Sequence, residues 1–147
     1  MADFSMVTAR LATGAAVSGP ADVAALQAAG ITAVIDLRAE FDDGSLLAGA
    51  GMAYLWNGTA DDGQPKPVSW FAASLAFALP LLAQPHQKAY LHCAAGINRG
   101  PSTAFACMRA LGWSAADAEA TIRAARPQVG LAYKGDADVA VAALGYA

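Results

Sequence analysis

A cysteine and an arginine with five residues between them are the side chains of this sequence whose types and spacing most clearly point to chemistry. The segment from 92 to 99 reads HCAAGINR. Backbone N–H groups of a tight loop and of a helix N-terminus bind anions, and an arginine binds two oxygens of one phosphate. A cysteine attacks as its thiolate, which nearby positive charge stabilises. The spacing therefore predicts a phosphate-binding loop that holds Cys93 as a nucleophile and ends at Arg99.

The segments around this loop alternate between strand and helix patterns. We predict strands over 10–14, 31–37, 53–56 and 88–92, and helices over 20–29, 68–83, 101–111, 114–126 and 135–144. Pro80 is expected to kink or end the second helix. Strands that alternate with helices indicate a parallel sheet covered on both faces. We therefore predict an α/β fold with a central, mostly parallel sheet of four to five strands, flanked by helices on both faces.

The length of 147 residues predicts a single domain over 1–147. A formal net charge of −3 argues against a broad nucleic-acid-binding surface. The longest apolar run, 70–83, is interrupted by Ser74 and Pro80 and is too short to cross a bilayer. We therefore expect a monomer without nucleic-acid or membrane partners.

The cysteine count bears on the compartment. Two cysteines, Cys93 and Cys107, do not form a disulfide framework, and a reducing compartment suits a reactive thiolate. The N-terminus, MADFS, lacks the basic start and apolar core of a signal peptide. We expect a cytoplasmic location. No cysteines and histidines have the spacing of metal ligands, so we expect no metal and no other cofactor.

The segment 92–99 resembles the HCxxGxxR signature of the cysteine-based protein tyrosine phosphatase superfamily. His92, Cys93, Gly96 and Arg99 match it position for position. The order of the flanking segments, from about 11 to 129, is similar to that of the compact dual-specificity-type members. This resemblance implies a metal-independent phosphomonoester hydrolase that acts through a cysteinyl-phosphate. Its substrate would be a phosphorylated protein or a small phosphomonoester.

The resemblance also suggests roles for the other loop residues. The backbone amides between Cys93 and Arg99 would bind the phosphate, and His92 would support the loop. Gly96 would let the backbone approach the anion. The loop amides belong to Ala94, Ala95, Gly96, Ile97 and Asn98. None of these residues is a lysine, and relatives that act on highly phosphorylated inositols have lysines in this loop. Such substrates are therefore not expected.

An acid must protonate the leaving group, and in this family it is an aspartate about thirty residues before the cysteine. Asp61 and Asp62 both lie at that distance. The segment from 62 to 65 reads DGQP, which resembles the Asp-x-x-Pro form of this loop. We therefore expect Asp62 to be the general acid, with Asp61 as the alternative.

One position departs from the family pattern. Most members have Ser or Thr directly after the loop arginine, where the hydroxyl eases departure of the thiolate. Here that residue is Gly100, and the next hydroxyls belong to Ser102 and Thr103. Ser102 is our candidate for a supporting role, and we expect slow breakdown of the intermediate. Arg126, which precedes a proline as in several relatives, is expected to be structural.

Two other functions use similar residues. A phosphate-binding pseudophosphatase would keep the loop without turnover, and Gly100 is compatible with it. A rhodanese-like sulfurtransferase also has a cysteine loop before a helix. Its loop is usually one residue shorter and needs no upstream acid, which makes it the less favoured alternative.

Overall fold

A single five-stranded sheet forms the centre of the computed structural model, which describes residues 2–146. Its strands are β1 (Phe4–Met6), β2 (Leu11–Gly14), β3 (Ala33–Arg38), β4 (Ala53–Thr59) and β5 (Ala89–His92). They lie in the order β1-β2-β5-β3-β4, with β1 antiparallel to β2 and all other pairs parallel. The predicted α/β sheet is confirmed. The strand β1 was not predicted, and it pairs with the outer side of β2, the first of the predicted strands.

Six helices cover the sheet. They are α1 (Pro20–Ala28), α2 (Gly44–Leu47), α3 (Val68–Leu82), α4 (Arg99–Ala110), α5 (Ala115–Ala125) and α6 (Lys134–Ala143). Residues of α3 to α6 share one apolar core with one face of the sheet, and residues of α1 and α2 share a second core with the other face. Helices on both faces are therefore confirmed. None of the helices within 2–146 is both long and apolar enough to cross a membrane.

Pro80 does not end its helix, because α3 continues to Leu82. A proline removes the N–H that would bond to the carbonyl four residues earlier. Here that carbonyl belongs to Ala76, and both Ala76 and Pro80 are exposed. Water can therefore take the place of the missing donor.

The central strand β5 determines where the cysteine loop lies. Successive side chains of a strand point to opposite faces of the sheet. Tyr90 packs in the core beside α1 and α2, and Leu91 in the core beside α3 to α6. His92 is fully buried at the end of β5 and stacks on Tyr90, with ring centroids 5.2 Å apart. The loop therefore starts from a rigid strand between β2 and β3, at the carboxyl edge of the sheet.

Helix α4 begins in close contact with this strand. A Cβ atom on Gly100 would lie 2.9 Å from the carbonyl oxygen of Leu91 and 3.0 Å from Oγ1 of Thr13. Thr13 Oγ1 itself donates to the same carbonyl at 2.8 Å. Position 100 therefore has no room for the side chain that most relatives have after the loop arginine.

We expect Gly100→Ala to lower the free energy of unfolding by roughly 1–3 kcal/mol, because the added methyl group must displace backbone atoms. Thermal or urea denaturation measures this change. Gly135→Ala is the matched control, since nothing lies within 4 Å of a Cβ at this helical position. That variant should be neutral or slightly more stable. Equal stability of Gly100→Ala and the wild type would show that α4 can move away from β5.

Candidate active site

The cysteine loop folds back against the sheet. Cys93 is 2% exposed, and its backbone N–H donates to the carbonyl of Gly14 at 3.3 Å. Gly96 has a φ of +70°, and a Cβ there would lie 2.4 Å from the backbone of Gly14 and 2.6 Å from Nη2 of Arg126. The contacts that require glycine at position 96 are thus made with β2 and Arg126, on the protein side of the loop.

Arg126 binds the cysteine loop on its protein side. It is 1% exposed, and it donates from Nε to the carbonyl of Gly96 at 2.8 Å and from Nη2 to the carbonyl of Ala95 at 3.0 Å. Its Nη1 and Nη2 also pair with Asp3 at 2.9 and 3.0 Å. In a trans peptide the N–H points away from the C=O. The amides of Gly96 and Ile97 therefore point away from Arg126, as donors to an anion must.

The far side of the loop is bound to the segment after α5. The carbonyl of Ile97 accepts from the N–H groups of Gly130 and Leu131 at 2.9 and 3.1 Å. The side-chain oxygen of Asn98 accepts from the N–H of Ala132 at 3.2 Å. Three consecutive loop carbonyls, from 95 to 97, thus have protein donors, so the loop conformation is determined before any ligand binds.

Arg99 presents one edge of its guanidinium to the protein and keeps another free. Nη1 and Nη2 bind the carboxylate of Glu40 at 2.7 and 3.1 Å, and Nη1 also donates to the carbonyl of Thr59 at 2.9 Å. Arg99 is 3% exposed, and its Nε is the one buried side-chain N or O atom within 2–146 without a partner. The edge formed by Nε and Nη2 can therefore bind two oxygens of an anion while Glu40 keeps the opposite edge in place.

The Glu40–Arg99 pair persists at low pH. The hydrogen bonds from Arg99 lower the pKa of Glu40 from its usual 4.5 to about 2, against the effect of partial burial. Because this pKa is lower in the folded protein, the pair stabilises the fold above about pH 4.5 and loses this effect as the pH falls toward 2. Glu40 is therefore ionised, and Arg99 oriented, at any pH near neutrality.

His92 lies under the loop in a buried network of charges. Its Nδ1 lies 3.1 Å from the carbonyl oxygen of Cys93, and its Nε2 lies 2.5 Å from Oδ2 of Asp43. Both ring nitrogens therefore face oxygen atoms. Arg38 donates to Asp43 at 2.7 Å and to Asp36 at 3.0 Å. His92 thus holds the carbonyl of Cys93 in place.

Part of this network has the composition of a metal site. Within 2–146, Asp36, Asp43 and His92 are the group of potential ligands close enough to hold an ion, with their ligand atoms within 4.8 Å of one another. The guanidinium of Arg38 already contacts both carboxylates. Arg38 therefore supplies the positive charge that an ion would bring.

The two candidate acids have different surroundings. Asp61 accepts from Tyr133 Oη at 2.7 Å and from Asn98 Nδ2, in the cysteine loop, at 3.3 Å. Asp62 accepts from Lys66 Nζ at 2.9 Å, and its side chain is 49% exposed. The hydrogen bond from Lys66 lowers the pKa of Asp62. The structure thus brings Asp61 to the loop and pairs Asp62 with a lysine of its own segment.

Tyr133 joins the acid segment to the loop, and the sequence analysis missed it. Its hydroxyl donates to Asp61 and accepts from the N–H of Gly63 at 3.0 Å, while its backbone N–H donates to Ser102 Oγ at 3.1 Å. Burial and the hydrogen bond to Asp61 raise the pKa of Tyr133, so it remains a donor. Position 133 lies beyond the segment that resembles the family, and no spacing rule pointed to it.

The hydroxyls after the loop are engaged elsewhere. Ser102 is fully buried, and its Oγ accepts from Tyr133. Thr103 Oγ1 donates to the carbonyl of Arg99 at 2.9 Å. Ser102 therefore supports the segment that carries Tyr133, and the contact of Thr103 is with the first turn of α4.

Comparison with solved protein structures identifies the fold of this chain. No family model matches the chain, and no curated protein sequence matches it. Solved structures do match. One is a single-residue variant of human DUSP28, which matches at a TM-score of 0.82 and 20% identity, with 98% of this chain and 97% of that chain covered. A mouse putative dual specificity phosphatase complexed with zinc tungstate matches at 0.80 and 21%, with 97% and 91% covered. The chain has the fold of the compact dual-specificity phosphatases.

A third structure supports the same conclusion. PTPMT1 in complex with PI(5)P matches at a TM-score of 0.79 and 18% identity, covering 97% of this chain and 99% of that chain. The dual-specificity phosphatase fold expected from the segment 92–99 is thus confirmed over nearly the whole chain. At these identities the likeness concerns the fold, and the chemistry must be argued from the site.

We expect Glu40→Gln to weaken binding of inorganic phosphate about tenfold, the effect of losing one hydrogen bond between charged groups. The amide group can accept from Nη1, but its NH₂ would oppose the hydrogens of Nη2. Isothermal titration calorimetry measures the change. Glu119→Gln, which removes a carboxylate bound by Arg123 and Lys134 on the surface, is the control and should bind phosphate like the wild type. Equal affinity of both variants would mean that Arg99 does not depend on Glu40.

Proposed function

We propose that this protein is a metal-independent phosphomonoester hydrolase that works through a cysteinyl-phosphate on Cys93. The observation that carries the proposal is the free Nε of the buried Arg99, beside a loop whose carbonyls are already bound on the other side. A cationic edge and a set of amides without protein partners in their direction suit a tetrahedral oxyanion. The dual-specificity phosphatase fold supports the same chemistry.

Cys93, which opens the loop, is the proposed nucleophile for the bound phosphorus. Its thiolate forms the S–P bond while the P–O bond to the leaving group breaks. Charge then develops on the oxygens held by the loop amides and Arg99, which are oriented before the reaction begins. The N-terminus of α4 adds a favourable field for this negative charge.

Asp61 is the better candidate for the general acid. Its contact with Asn98 brings it to the loop, and Tyr133 fixes its Oδ1. The other oxygen, Oδ2, lies 3.3 Å from Asn98 Nδ2, on the side of the loop, and is the one that would carry the proton. Asp62 is bound by Lys66, whose hydrogen bond favours the ionised carboxylate, so Asp62 is a poor proton donor near neutral pH. Asp61 therefore protonates the departing oxygen in the first step.

In the second step water replaces the thiolate on phosphorus. Asp61, now ionised, takes a proton from the attacking water, the S–P bond breaks, and Cys93 leaves as the thiolate. No hydroxyl follows Arg99 to assist its departure, and those of Ser102 and Thr103 are engaged elsewhere. This step is therefore expected to be the slow one.

The lack of a hydroxyl directly after Arg99 also favours the second candidate, a phosphate-binding protein without turnover. Turnover of an aryl phosphate separates the two functions. With a good leaving group, rapid mixing should show a burst of product equal to the enzyme present, followed by a slower steady state. Binding of phosphate with no burst and no steady state would support the second candidate.

We expect Cys93→Ser to abolish hydrolysis of aryl phosphates and to keep binding of vanadate or phosphate, because the loop amides and Arg99 remain. The wild type should be equally active with and without EDTA. Steady-state hydrolysis and calorimetric binding provide the two readouts. Activity that EDTA removes and a divalent ion restores would contradict the mechanism, as would substantial activity of Cys93→Ser.

We expect Asp61→Asn to slow hydrolysis of alkyl phosphates by about 10²–10⁴-fold, the usual contribution of a general acid. Aryl phosphates with acidic leaving groups should be affected far less, because they depart without a proton.

Asp62→Asn is the matched control for this experiment and should stay within a few-fold of the wild type. If Asp62→Asn shows the leaving-group defect and Asp61→Asn does not, the acid is Asp62, as the DGQP segment suggested. If neither shows it, the proton comes from another group.

A further inference from the structure

The basic side chains of this protein are already bound to its own oxygens. Each of the nine Lys and Arg residues donates a hydrogen bond to a carboxylate or a carbonyl within 2–146. The loop positions from 94 to 98 carry no charge. At the site, the free Nε of Arg99 is therefore the cationic group left for a substrate, and it serves the phosphate that reacts.

Carboxylates surround that phosphate position. Glu40 binds Arg99 and has a side chain 56% exposed, and Asp61 contacts the loop through Asn98. Asp62 follows directly and is half exposed, and Asp42 is exposed two residues after Glu40. Hydrogen bonds lower the pKa values of Glu40, Asp42 and Asp62, so all three are ionised near neutral pH.

The balance of charge at this edge of the sheet is negative. The positive side chains there are Arg38, Lys66, Arg99 and Arg126, to which His92 can be added. The carboxylates there are Asp3, Asp36, Glu40, Asp42, Asp43, Asp61 and Asp62. Even with His92 counted as a cation, the carboxylates are in excess.

A second anionic group on a substrate would therefore meet repulsion. Charges within about 10 Å interact appreciably at physiological ionic strength, and like charges across an interface discriminate against a partner. A positive group beside the phosphate would instead meet Glu40 or Asp62, the exposed carboxylates that form the rim of the site. The carboxylates of the rim therefore favour a positive group on the substrate, whereas the loop itself binds the anionic phosphate.

We propose, on the basis of the phosphatase function above, that the substrate is a phosphomonoester with positive charge and no second anionic group beside the phosphate. In a phosphorylated protein this corresponds to a segment with Lys or Arg next to the modified residue. Selection comes from Glu40 and Asp62 at the rim. The reactive phosphate is recognised by the loop regardless of its carrier.

Two phosphotyrosine peptides that differ only in flanking residues test this proposal. The peptide flanked by lysines should have a kcat/KM about tenfold higher than the one flanked by glutamates. The difference should shrink to about two- or threefold in roughly 0.5 M NaCl, because the rim charges are exposed to solvent. Equal values, or a preference for the glutamate peptide, would overturn the proposal.

A pair of variants locates the effect. Asp62→Asn removes a rim carboxylate and releases Lys66, and it should reduce the preference for the lysine peptide about threefold. Asp138→Asn removes a carboxylate paired with Arg109, near the C-terminal end of α4, and should leave the preference unchanged. Equal effects of the two variants would show that overall charge, and not the rim, is responsible, which would also overturn the proposal.

A third arm separates a peptide carrier from a membrane. A phosphoinositide monophosphate, present as a small fraction in vesicles of zwitterionic lipid, should be hydrolysed more slowly after phosphatidylserine is added, since the surface becomes more anionic. Faster hydrolysis would contradict the proposal. An aryl phosphate serves as the common control. If it is not hydrolysed, the proposed phosphatase function is wrong. If it is hydrolysed and the two peptides have equal kcat/KM values, only the proposed charge selection is wrong.

Discussion

The site depends on the way Arg126 binds the cysteine loop from the protein side. A loop that binds an anion through its amides must direct its carbonyls elsewhere, and buried carbonyls need donors. One guanidinium meets this requirement for Ala95 and Gly96, while Asp3 compensates its charge. The glycine at position 96 then follows, because Arg126 and Gly14 occupy the space of a side chain.

The same principle recurs around the site, where each charged group is held by an opposite charge. Glu40 orients Arg99, Arg38 compensates Asp36 and Asp43, and these in turn surround His92. Breaking a buried pair leaves an uncompensated charge, which is costly. The arrangement therefore keeps one edge of the Arg99 guanidinium available, although carboxylates outnumber cations at this edge of the sheet.

Local features of the site could be predicted from the sequence, and distant ones could not. Cys93 and Arg99 lie at the two ends of one short loop, so their spacing along the chain already determines that they lie near each other. The choice between Asp61 and Asp62 depends on Tyr133 and Lys66, and a separation along the chain cannot resolve adjacent residues. The strand β1 has three residues and no readable period, and it exists because β2 offers an edge. The helix α2, with four residues, is similarly too short to show a pattern.

The pair between Asp3 and Arg126 also has a consequence for how the chain acquires its site during synthesis. By residue 99 the nascent chain contains all five strands and the entire cysteine loop. The residue that binds the loop carbonyls is added only after α5, and Tyr133 later still. Domains fold as units during synthesis, with early segments waiting for late ones. A chain shortened before residue 126 would therefore carry Cys93 in a loop whose carbonyls at positions 95 and 96 lack the donors that hold them.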